Sequence, residues 1–176
     1  MTKIVVFSDS HGEHTDMKYI LDRVHGDADY VLHLGDGAAD VERLSANYPR
    51  IGFVNVRGNC DWGFGSNVAD IQRTLDIDGV RIFMCHGHKH DVVCGDMTVL
   101  AASARANNAD IALFGHTHYS EILGVKRSDS EEDGEIRIMN PGSITRPRGG
   151  AIKGKSYGLI IIDEKGDFQV SLCAFD

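Results

Sequence analysis

Short apolar runs recur along the first part of the chain, and each one ends in glycine or polar residues. Five of them, KIVVF, YVLHL, GFVNV, VRIFM and DIALF, contain many β-branched residues and do not alternate strictly with polar positions. Continuous apolar runs of this length are typical of strands that are buried on both faces. This part of the chain therefore predicts several buried strands.

Segments with helical spacing lie between these runs. Met17, Ile20, Leu21 and Val24 recur at intervals that place them on one helix face, and Gly26 stands where such a helix would end. The segment 96–110 is rich in alanine and has no internal glycine or proline, so it also predicts a helix. Strands that alternate with helices indicate crossover units around a mainly parallel sheet.

The pattern changes after residue 118. SEILGVKR and EIRIMN alternate apolar and polar residues on either side of the acidic segment 128–134, and residues 157–175 repeat this arrangement around EKGD. Both stretches predict β-hairpins. We expect the hairpins to form a second, antiparallel sheet packed against the first. The resulting fold class is α/β, a four-layer αββα sandwich in a single domain over residues 1–176.

Composition and charge narrow the classes of function. The chain has 176 residues, 42% of them hydrophobic and 25% charged, which is ordinary for a globular protein. No segment approaches the roughly 18 uninterrupted apolar residues of a membrane span, and the N-terminal sequence does not resemble a signal peptide. We therefore expect a cytoplasmic protein without a membrane partner. A formal net charge of -8 disfavours nucleic acid as a stable partner.

Candidate metal ligands follow all five predicted strands. In an open α/β sheet the carboxyl ends of parallel strands share one rim, so we expect these side chains to converge there. The candidate ligands are Asp9, His11, Asp36, Asn59, His86, His116 and His118. Oxygen and nitrogen donors suit Mn²⁺, Fe, Zn²⁺ or Ni²⁺. Seven donors are too many for one tetrahedral ion and suit two ions about 3.5–4 Å apart.

The series DSH, GD, GNCD, CHGH and GHTH resembles the DxH, GD, GNxD, H and GHxH motifs of the calcineurin-like metallophosphoesterases. The short chain and the NPGS at 140–143 make it most similar to the small YfcE-type phosphodiesterases. The resemblance implies the metallophosphoesterase fold and two divalent ions, with Mn²⁺ expected first. It implies one ion held by Asp9, His11, Asp36 and His118. It implies a second ion held by Asp36, Asn59, His86 and His116, so that Asp36 bridges the two.

The predicted activity is metal-dependent hydrolysis of a small phosphodiester by attack of a metal-bound hydroxide at this dinuclear centre. Asp36 and Asn59 would then be catalytic through the ions, and no serine or cysteine nucleophile is required. Two alternatives stay open: a phosphomonoesterase or nucleotidase, and a noncatalytic interaction scaffold similar to a retromer subunit of the same fold. Whether the chain forms a homo-oligomer also stays open, because no feature of the sequence identifies an interface.

The proton donor for the leaving group is the least determined part of the site. Many family members have histidine at the third position of GNxD, whereas this chain has Cys60. A thiol is mostly protonated at neutral pH but is a poorer general acid than imidazole, so we expect a preference for good leaving groups. The alternative is that Cys60 only fills space. His88 is a second candidate donor, with an outer or solvent-exposed position as its alternative.

Residues near these motifs carry weaker expectations. Arg146 and Arg148 follow the NPGS segment and are candidate ligands for substrate phosphate, since guanidinium groups bind phosphate with two hydrogen bonds. The alternative is a solvated basic loop. We expect His90 at the surface, and Trp62 and Phe64 in packing contacts.

Overall fold

The structure is a computed structural model that describes residues 1–62, 70–130 and 133–175. Phe64 lies outside these ranges. The strands are β1 (Thr2–Phe7), β2 (Tyr30–His33), β3 (Gly52–Asn55), β4 (Gln72–Ile77), β5 (Val80–Cys85), β6 (Ile111–Leu113), β7 (Tyr119–Lys126), β8 (Glu135–Asn140), β9 (Gly149–Gly150), β10 (Lys155–Ile162) and β11 (Phe168–Phe175). The helices are α1 (Thr15–Arg23), α2 (Ala38–Ser45) and α3 (Thr98–Ala106), with a 3₁₀ turn at Val92–Cys94.

The first sheet has the strand order β11-β10-β1-β2-β3. The pairs β1–β2 and β2–β3 are parallel, with Ile4 opposite Tyr30 and Tyr30 opposite Gly52. The C-terminal hairpin of β10 and β11 extends this sheet through an antiparallel β1–β10 pair that places Val6 opposite Gly158.

The second sheet has the order β4-β5-β6-β8-β7-β9. Strands β5, β6 and β8 are parallel, whereas β4 runs antiparallel to β5 and β7 runs antiparallel to β8; the short β9 pairs in parallel with β7. The expected division into one mainly parallel sheet and one antiparallel sheet is therefore wrong. Strands β5 and β6 belong to the second sheet, while the β10–β11 hairpin belongs to the first. Local alternation indicates that a segment is a strand, but strand partners are set by long-range packing.

Alternate residues of the strands fill three layers of core. Ile4 and Val6 face the second sheet and pack in the same cluster as Ile82 and Met84. The alternate residues of β1 point outward, where Phe7 packs with α1 and α2. On the other side of the molecule, the outer face of the second sheet packs with α3. This succession of helix, sheet, sheet and helix layers confirms the expected αββα sandwich.

The local predictions agree with the elements in most places. Helix α1 buries Met17, Ile20 and Leu21 and ends at Arg23, shortly before Gly26, and α3 lies inside the predicted segment 96–110. The expected inward position of Val24 is wrong, because this residue caps the end of α1 and is 51% exposed. Both predicted hairpins form. Strand β4 was not predicted from the sequence, because this edge strand alternates between exposed and partly buried residues and has no apolar run. In the described ranges, no helix combines the length and apolarity that a bilayer crossing requires.

Candidate metal centre

The loops that follow β1, β2 and β3 of the first sheet meet the loops that follow β5 and β6 of the second. The backbone N–H of Asp9 donates to the carbonyl oxygen of Gly35 at 3.1 Å, within the first sheet. Across the junction, the N–H of His116 donates to Asp9 Oδ2 at 3.0 Å. The candidate ligands therefore converge as expected, but at a junction of two sheets and not at the rim of one.

Asp9 lies at the centre of this junction and is fully buried. Its Oδ1 atom is 3.3 Å from Nε2 of His118 and 3.9 Å from Nε2 of both His11 and His86. Among the described residues, Oδ1 has no hydrogen-bond partner. A buried carboxylate oxygen without a partner is costly. Surrounded by imidazole nitrogens, this atom fits a bound cation.

A second group forms around His86. Its Nε2 atom lies 3.5 Å from Asp36 Oδ2 and 3.1 Å from Asn59 Oδ1. The ring of His116 stands 5.0 Å from that of His86, measured between centroids. Donor atoms lie within 4.8 Å of one another in three sets, which are Asp9 with His11 and His118, Asp9 with Asp36 and His86, and His11 with Asp36 and Cys60. The structure thus brings all seven candidate ligands together.

Two of the histidines are held in the tautomer that metal binding requires. Nδ1 of His86 lies 2.7 Å from the carbonyl oxygen of Leu34, and Nδ1 of His118 lies 2.7 Å from that of Arg146. A carbonyl oxygen only accepts hydrogen bonds, so each Nδ1 donates. A ring in this orientation presents the lone pair of Nε2 to the centre once Nε2 gives up its proton to a cation, as metal-ligating histidines do.

Both carboxylates of the centre are held in the ionised form. Burial would raise the pKa of Asp36, but the hydrogen bond and charge of His86 outweigh it and keep that pKa well below its ordinary value. For Asp9, burial is likewise outweighed by His118 and His86, so its pKa is lowered. In turn these carboxylates raise the pKa of His86 against the effect of burial. The centre therefore concentrates negative charge in a buried place, which favours a cation.

Five candidate ligands adopt left-handed backbone conformations. Their φ angles lie between 50° and 70° at Asp9, His11, Asp36, His116 and His118. Positive φ is uncommon for residues other than glycine, and it costs on the order of 1–3 kcal/mol at each position. Such strain is typical of functional sites where the surrounding packing fixes the backbone.

Asp61 holds the ligand loops together without facing the centre. Its Oδ2 accepts from the N–H groups of Asp36 and Gly58, each at 2.8 Å, and its Oδ1 accepts from Gly37 and Ala38 at 2.9 and 3.0 Å. Both oxygens are thus occupied by backbone donors. The last position of GNCD is therefore a positioning residue that joins the loops after β2 and β3.

The NPGS segment also has a supporting role. Asn140 donates to the carbonyl oxygen of Gly115 at 3.1 Å, and Ser143 donates to that of Asp9 at 2.8 Å. Thr145 donates to the same Asp9 carbonyl at 2.9 Å. Asn140 and Ser143 are fully buried. They fix the backbone of the ligand loops and do not line the described cavities.

Two glycines beside the ligands allow a close approach that a side chain would prevent. A Cβ at Gly58 would lie 2.0 Å from Asp36 Oδ1, and a Cβ at Gly115 would lie 1.9 Å from Ser8 Oγ and 2.9 Å from Asp9 Oδ2. Such distances are far below van der Waals contact. The glycines of GNCD and GHTH therefore let the backbone pass directly against the ligands.

The centre opens into two cavities that have four lining residues in common: His11, Asp36, Cys60 and Arg146. The first, which we call the α2 cavity, has a volume of about 460 Å³ and extends over Gly12, Gly37, Ala39, Asp40, Arg43 and Asp61. The second, which we call the loop cavity, has a volume of about 520 Å³ and extends over Asn59, Val93, His116, Thr117, His118, Pro147 and Arg148. Arg146 borders both cavities, whereas Arg148 borders the loop cavity alone.

The two candidate proton donors occupy different positions. Cys60 is exposed and lies where the two cavities meet, and its backbone N–H donates to Asp36 Oδ1 at 2.7 Å. Local desolvation beside the Asp36 carboxylate raises the pKa of Cys60 to about 11. His88 is half-buried, its ring centroid 5.4 Å from that of His86 and 6.2 Å from that of His116.

Some expectations for neighbouring residues are wrong. His90 is 4% exposed, because its ring packs edge-on against Phe83 inside the second sheet's core. Trp62 is 74% exposed, and Arg57 Cζ lies 5.4 Å from the centroid of its ring. The sequence did not single out Arg43, since a lone arginine in a helix carries no local signal of a site. Only the fold shows that it lines the α2 cavity.

Comparison with known proteins finds a family and relatives that cover most of the chain. The model of the calcineurin-like phosphoesterase superfamily domain matches residues 2–165. The probable metallophosphoesterase YsnB of Bacillus subtilis is 30% identical over 91% of this chain and 84% of its own length. The phosphodiesterase YfcE of Escherichia coli is 29% identical over 91% of this chain and 88% of its own length.

Solved structures show the same fold. A predicted phosphoesterase from Streptococcus pneumoniae, 28% identical, superimposes with a TM-score of 0.73 over 97% of this chain and 88% of its own. Vps29 of Entamoeba histolytica in complex with Zn²⁺, 23% identical, gives 0.71 over 98% of each chain, which shows likeness of fold alone. From the family match and the relatives, we conclude that the chain belongs to the calcineurin-like phosphoesterase superfamily.

Proposed function

We propose that this protein is a metal-dependent phosphodiesterase with a dinuclear centre. The observation that carries the proposal is the convergence of three imidazoles on Asp9 Oδ1, a buried acceptor that has no hydrogen-bond partner among the described residues, with the Asp36 carboxylate in the same group of donors. The carboxylates are ionised, the imidazoles are oriented and the ligand backbones are strained. These features are typical of a site whose ligands are already positioned before the cations bind. Membership of the family and the similarity to a phosphodiesterase support the same reaction class.

The donor groups suggest how two ions would be shared. Asp9, His11 and His118 would hold one ion, and Asn59, His86 and His116 would hold the other. Asp36 lies within reach of His86 on one side and His11 on the other, which suits a bridging carboxylate. Mn²⁺ is our first choice, and the same donors suit Fe, Zn²⁺ or Ni²⁺.

Two bound ions would supply the nucleophile by lowering the pKa of a water molecule, and would offset charge on the phosphoryl oxygens. The chain itself would orient the substrate. Arg146 and Arg148 border the cavities from the ligand side and would bind phosphoryl oxygens with two hydrogen bonds each. Cys60, which is protonated at neutral pH, or His88 would give a proton to the departing alcohol.

The two cavities favour a diester over a monoester. A phosphoryl group at their junction, beside His11 and Asp36, would have open space on two sides. A diester has two ester arms and fills both spaces, whereas a monoester leaves one empty. A pocket shaped around a substrate gains binding from each part that it contacts.

A noncatalytic scaffold is the competing hypothesis, because Vps29 shares the fold. In this chain every motif position holds a residue that can bind metal, and the residues converge on one centre. Retention of the full donor set favours an enzyme, since a scaffold needs only the surface of the fold.

The test is hydrolysis of bis-p-nitrophenyl phosphate and p-nitrophenyl phosphate by metal-stripped protein, with and without added Mn²⁺. We expect diester cleavage only with metal, and a loss of more than about 100-fold in the Asp36→Ala variant, which removes a ligand and not merely a supporting contact. Asp27→Ala is the matched control, because that carboxylate is 72% exposed and pairs with Lys3 at the surface.

Preference for the monoester would replace the proposal with a phosphomonoesterase or nucleotidase. Inactivity on both esters with Mn²⁺, Fe²⁺, Zn²⁺ and Ni²⁺ would favour the scaffold. Equal losses in Asp36→Ala and Asp27→Ala would show that the centre is not the site of hydrolysis.

A further inference from the structure

The α2 cavity contains an arginine that the proposed hydrolysis does not use. Helix α2 turns Ala39, Asp40 and Arg43 toward the cavity, on the side away from the loop cavity. Positions three and four residues apart lie on one face of a helix, so these three residues form a continuous wall. Arg43 stands in the last turn of α2 and its side chain is 61% exposed.

Asp40 anchors this wall to the metal centre. Its Oδ2 accepts from Ser10 Oγ at 2.7 Å and from the N–H of Gly12 at 2.8 Å, both in the loop that carries His11. Its Oδ1, in a side chain only 1% exposed, has no hydrogen-bond partner among the described residues and faces Arg43 Nη1 at 4.0 Å. That distance is beyond hydrogen-bond range, so Asp40 positions the Arg43 guanidinium without occupying its N–H groups.

Three of the four carboxylate oxygens of Asp40 and Asp61 in the α2 cavity accept hydrogen bonds from the protein. Asp61 has both oxygens filled by backbone N–H groups, and Asp40 has Oδ2 filled by Ser10 and Gly12. Asp36 belongs to the metal centre. The cationic side chains that line the cavity are Arg43, on α2, and Arg146, where the two cavities meet. Three carboxylates and two guanidinium groups give this lining a formal charge of -1, so an anion would be held by the guanidinium of Arg43 itself and not by the overall field of the cavity.

We propose that the α2 cavity binds a second anionic group of the substrate through Arg43, with Arg146 beside it. The substrate class is then an asymmetric phosphodiester: one ester arm carries a carboxylate or phosphate that reaches Arg43, and the other, uncharged arm lies in the loop cavity. This inference rests on the proposed phosphodiesterase function and names the kind of diester that the site prefers. Guanidinium recognises carboxylate and phosphate through paired, charge-assisted hydrogen bonds.

The test compares three diesters with the Mn²⁺-loaded protein. Methyl 4-nitrophenyl phosphate is the reference, methyl 3-carboxy-4-nitrophenyl phosphate carries the anion on the aryl arm, and 2-carboxyethyl 4-nitrophenyl phosphate carries it on the alkyl arm. We expect kcat/KM for at least one carboxylated diester to exceed that of the reference by about 10-fold. In Arg43→Ala this ratio should fall close to one, and Arg43→Lys should keep part of it.

Arg23→Ala is the matched control, since Arg23 is an exposed arginine in the last turn of α1 and should leave the ratio at its wild-type value. A ratio close to one in the wild-type protein, or a preference that survives Arg43→Ala, overturns the inference while the proposed function stands. Failure to hydrolyse any of the three diesters overturns the proposed function and this inference with it.

Discussion

Asp61 accepts a hydrogen bond of 2.8 Å from the backbone N–H of Asp36, so a carboxylate of one motif fixes the backbone of a candidate ligand in another. The same side chain accepts three further backbone N–H groups. We predict that Asp61→Ala lowers the free energy of unfolding by about 2–4 kcal/mol, because buried N–H groups lose a charged acceptor. Urea unfolding of the metal-free protein measures this loss independently of metal binding.

The same variant should weaken Mn²⁺ binding by about 10–100-fold, as loss of an outer hydrogen-bond partner does in metal sites. Isothermal titration calorimetry measures the affinity. Asp61→Asn is the matched control: its one carbonyl oxygen keeps part of the acceptor capacity, so its losses should be intermediate. Wild-type stability and affinity in Asp61→Ala would contradict the positioning role.

Gly115 should tolerate no side chain. In Gly115→Ala the new Cβ meets Ser8 Oγ at 1.9 Å and Asp9 Oδ2 at 2.9 Å, so both side chains must move. We expect a loss of about 1–3 kcal/mol in unfolding free energy from overpacking, and Mn²⁺ binding weaker by more than about 10-fold because Asp9 is displaced. Chemical unfolding and calorimetric titration give the two quantities.

Gly134→Ala separates backbone strain from displacement of a ligand. Gly134 has a φ of +72° and open space around it, so alanine there should cost about 1 kcal/mol and leave Mn²⁺ affinity within about twofold. Equal effects of the two substitutions on Mn²⁺ affinity would be incompatible with the close approach described at Gly115.

Cys60→His should change the dependence on the leaving group. With a pKa of about 11 the thiol is protonated at neutral pH but releases its proton reluctantly, whereas an imidazolium releases one readily. We expect Cys60→His to raise kcat on diesters with alkyl leaving groups by on the order of 100-fold, and to change kcat on nitrophenyl diesters much less. A series of diesters of increasing leaving-group pKa measures the slope. An unchanged slope would assign Cys60 a space-filling role, and Cys60→Ser controls for the loss of the thiol alone.

His25 should make the fold sensitive to mild acid. Burial, with the nearby Lys3 charge, lowers the pKa of His25, whose Nε2 lies 3.0 Å from the hydroxyl of Tyr157. The unfolded chain therefore takes up a proton near pH 6.5 before the folded chain does, so stability is complete above that pH and declines as the pH falls below it. This group contributes at most about 1.4 kcal/mol per pH unit.

The measurement is the free energy of unfolding of the metal-free protein from pH 8 to pH 5, compared with that of His25→Gln. The difference between the two proteins should be constant above about pH 7 and should change as the pH falls below about 6.5. A difference that stays constant over the whole range would show that His25 titrates alike in the folded and unfolded chain.

Local patterns predicted much of this molecule. The helices α1 and α3, the two hairpins and the polar ends of the strands follow from spacing and from apolar runs, because each depends on neighbours within a few residues. The convergence of the candidate ligands was also expected. Their role as metal ligands stays a prediction that the proposed experiments address.

Long-range relationships could not be predicted in the same way. The apolar LIII of β10 is compatible with a strand in either sheet, and only its pairing with β1 places it in the first. The burial of His90 depends on a contact with Phe83 that local sequence does not encode. Arg43 becomes a candidate binding residue only in the fold, because most of the other residues that line its cavity come from distant segments. Each of these relationships exists only in the folded chain and has no local motif in the sequence.

The position of the centre between two sheets divides its donors between two parts of the chain. The first sheet supplies Asp9, His11, Asp36 and Asn59, and the second supplies three imidazoles that follow β5 and β6. Neither sheet holds a complete set, so the distances between donors are set by how the sheets dock through residues such as Val6 and Met84. The apolar core between the two sheets therefore sets the relative positions of the candidate metal ligands. A methyl group gained or lost there would change the spacing of donor atoms that it never touches.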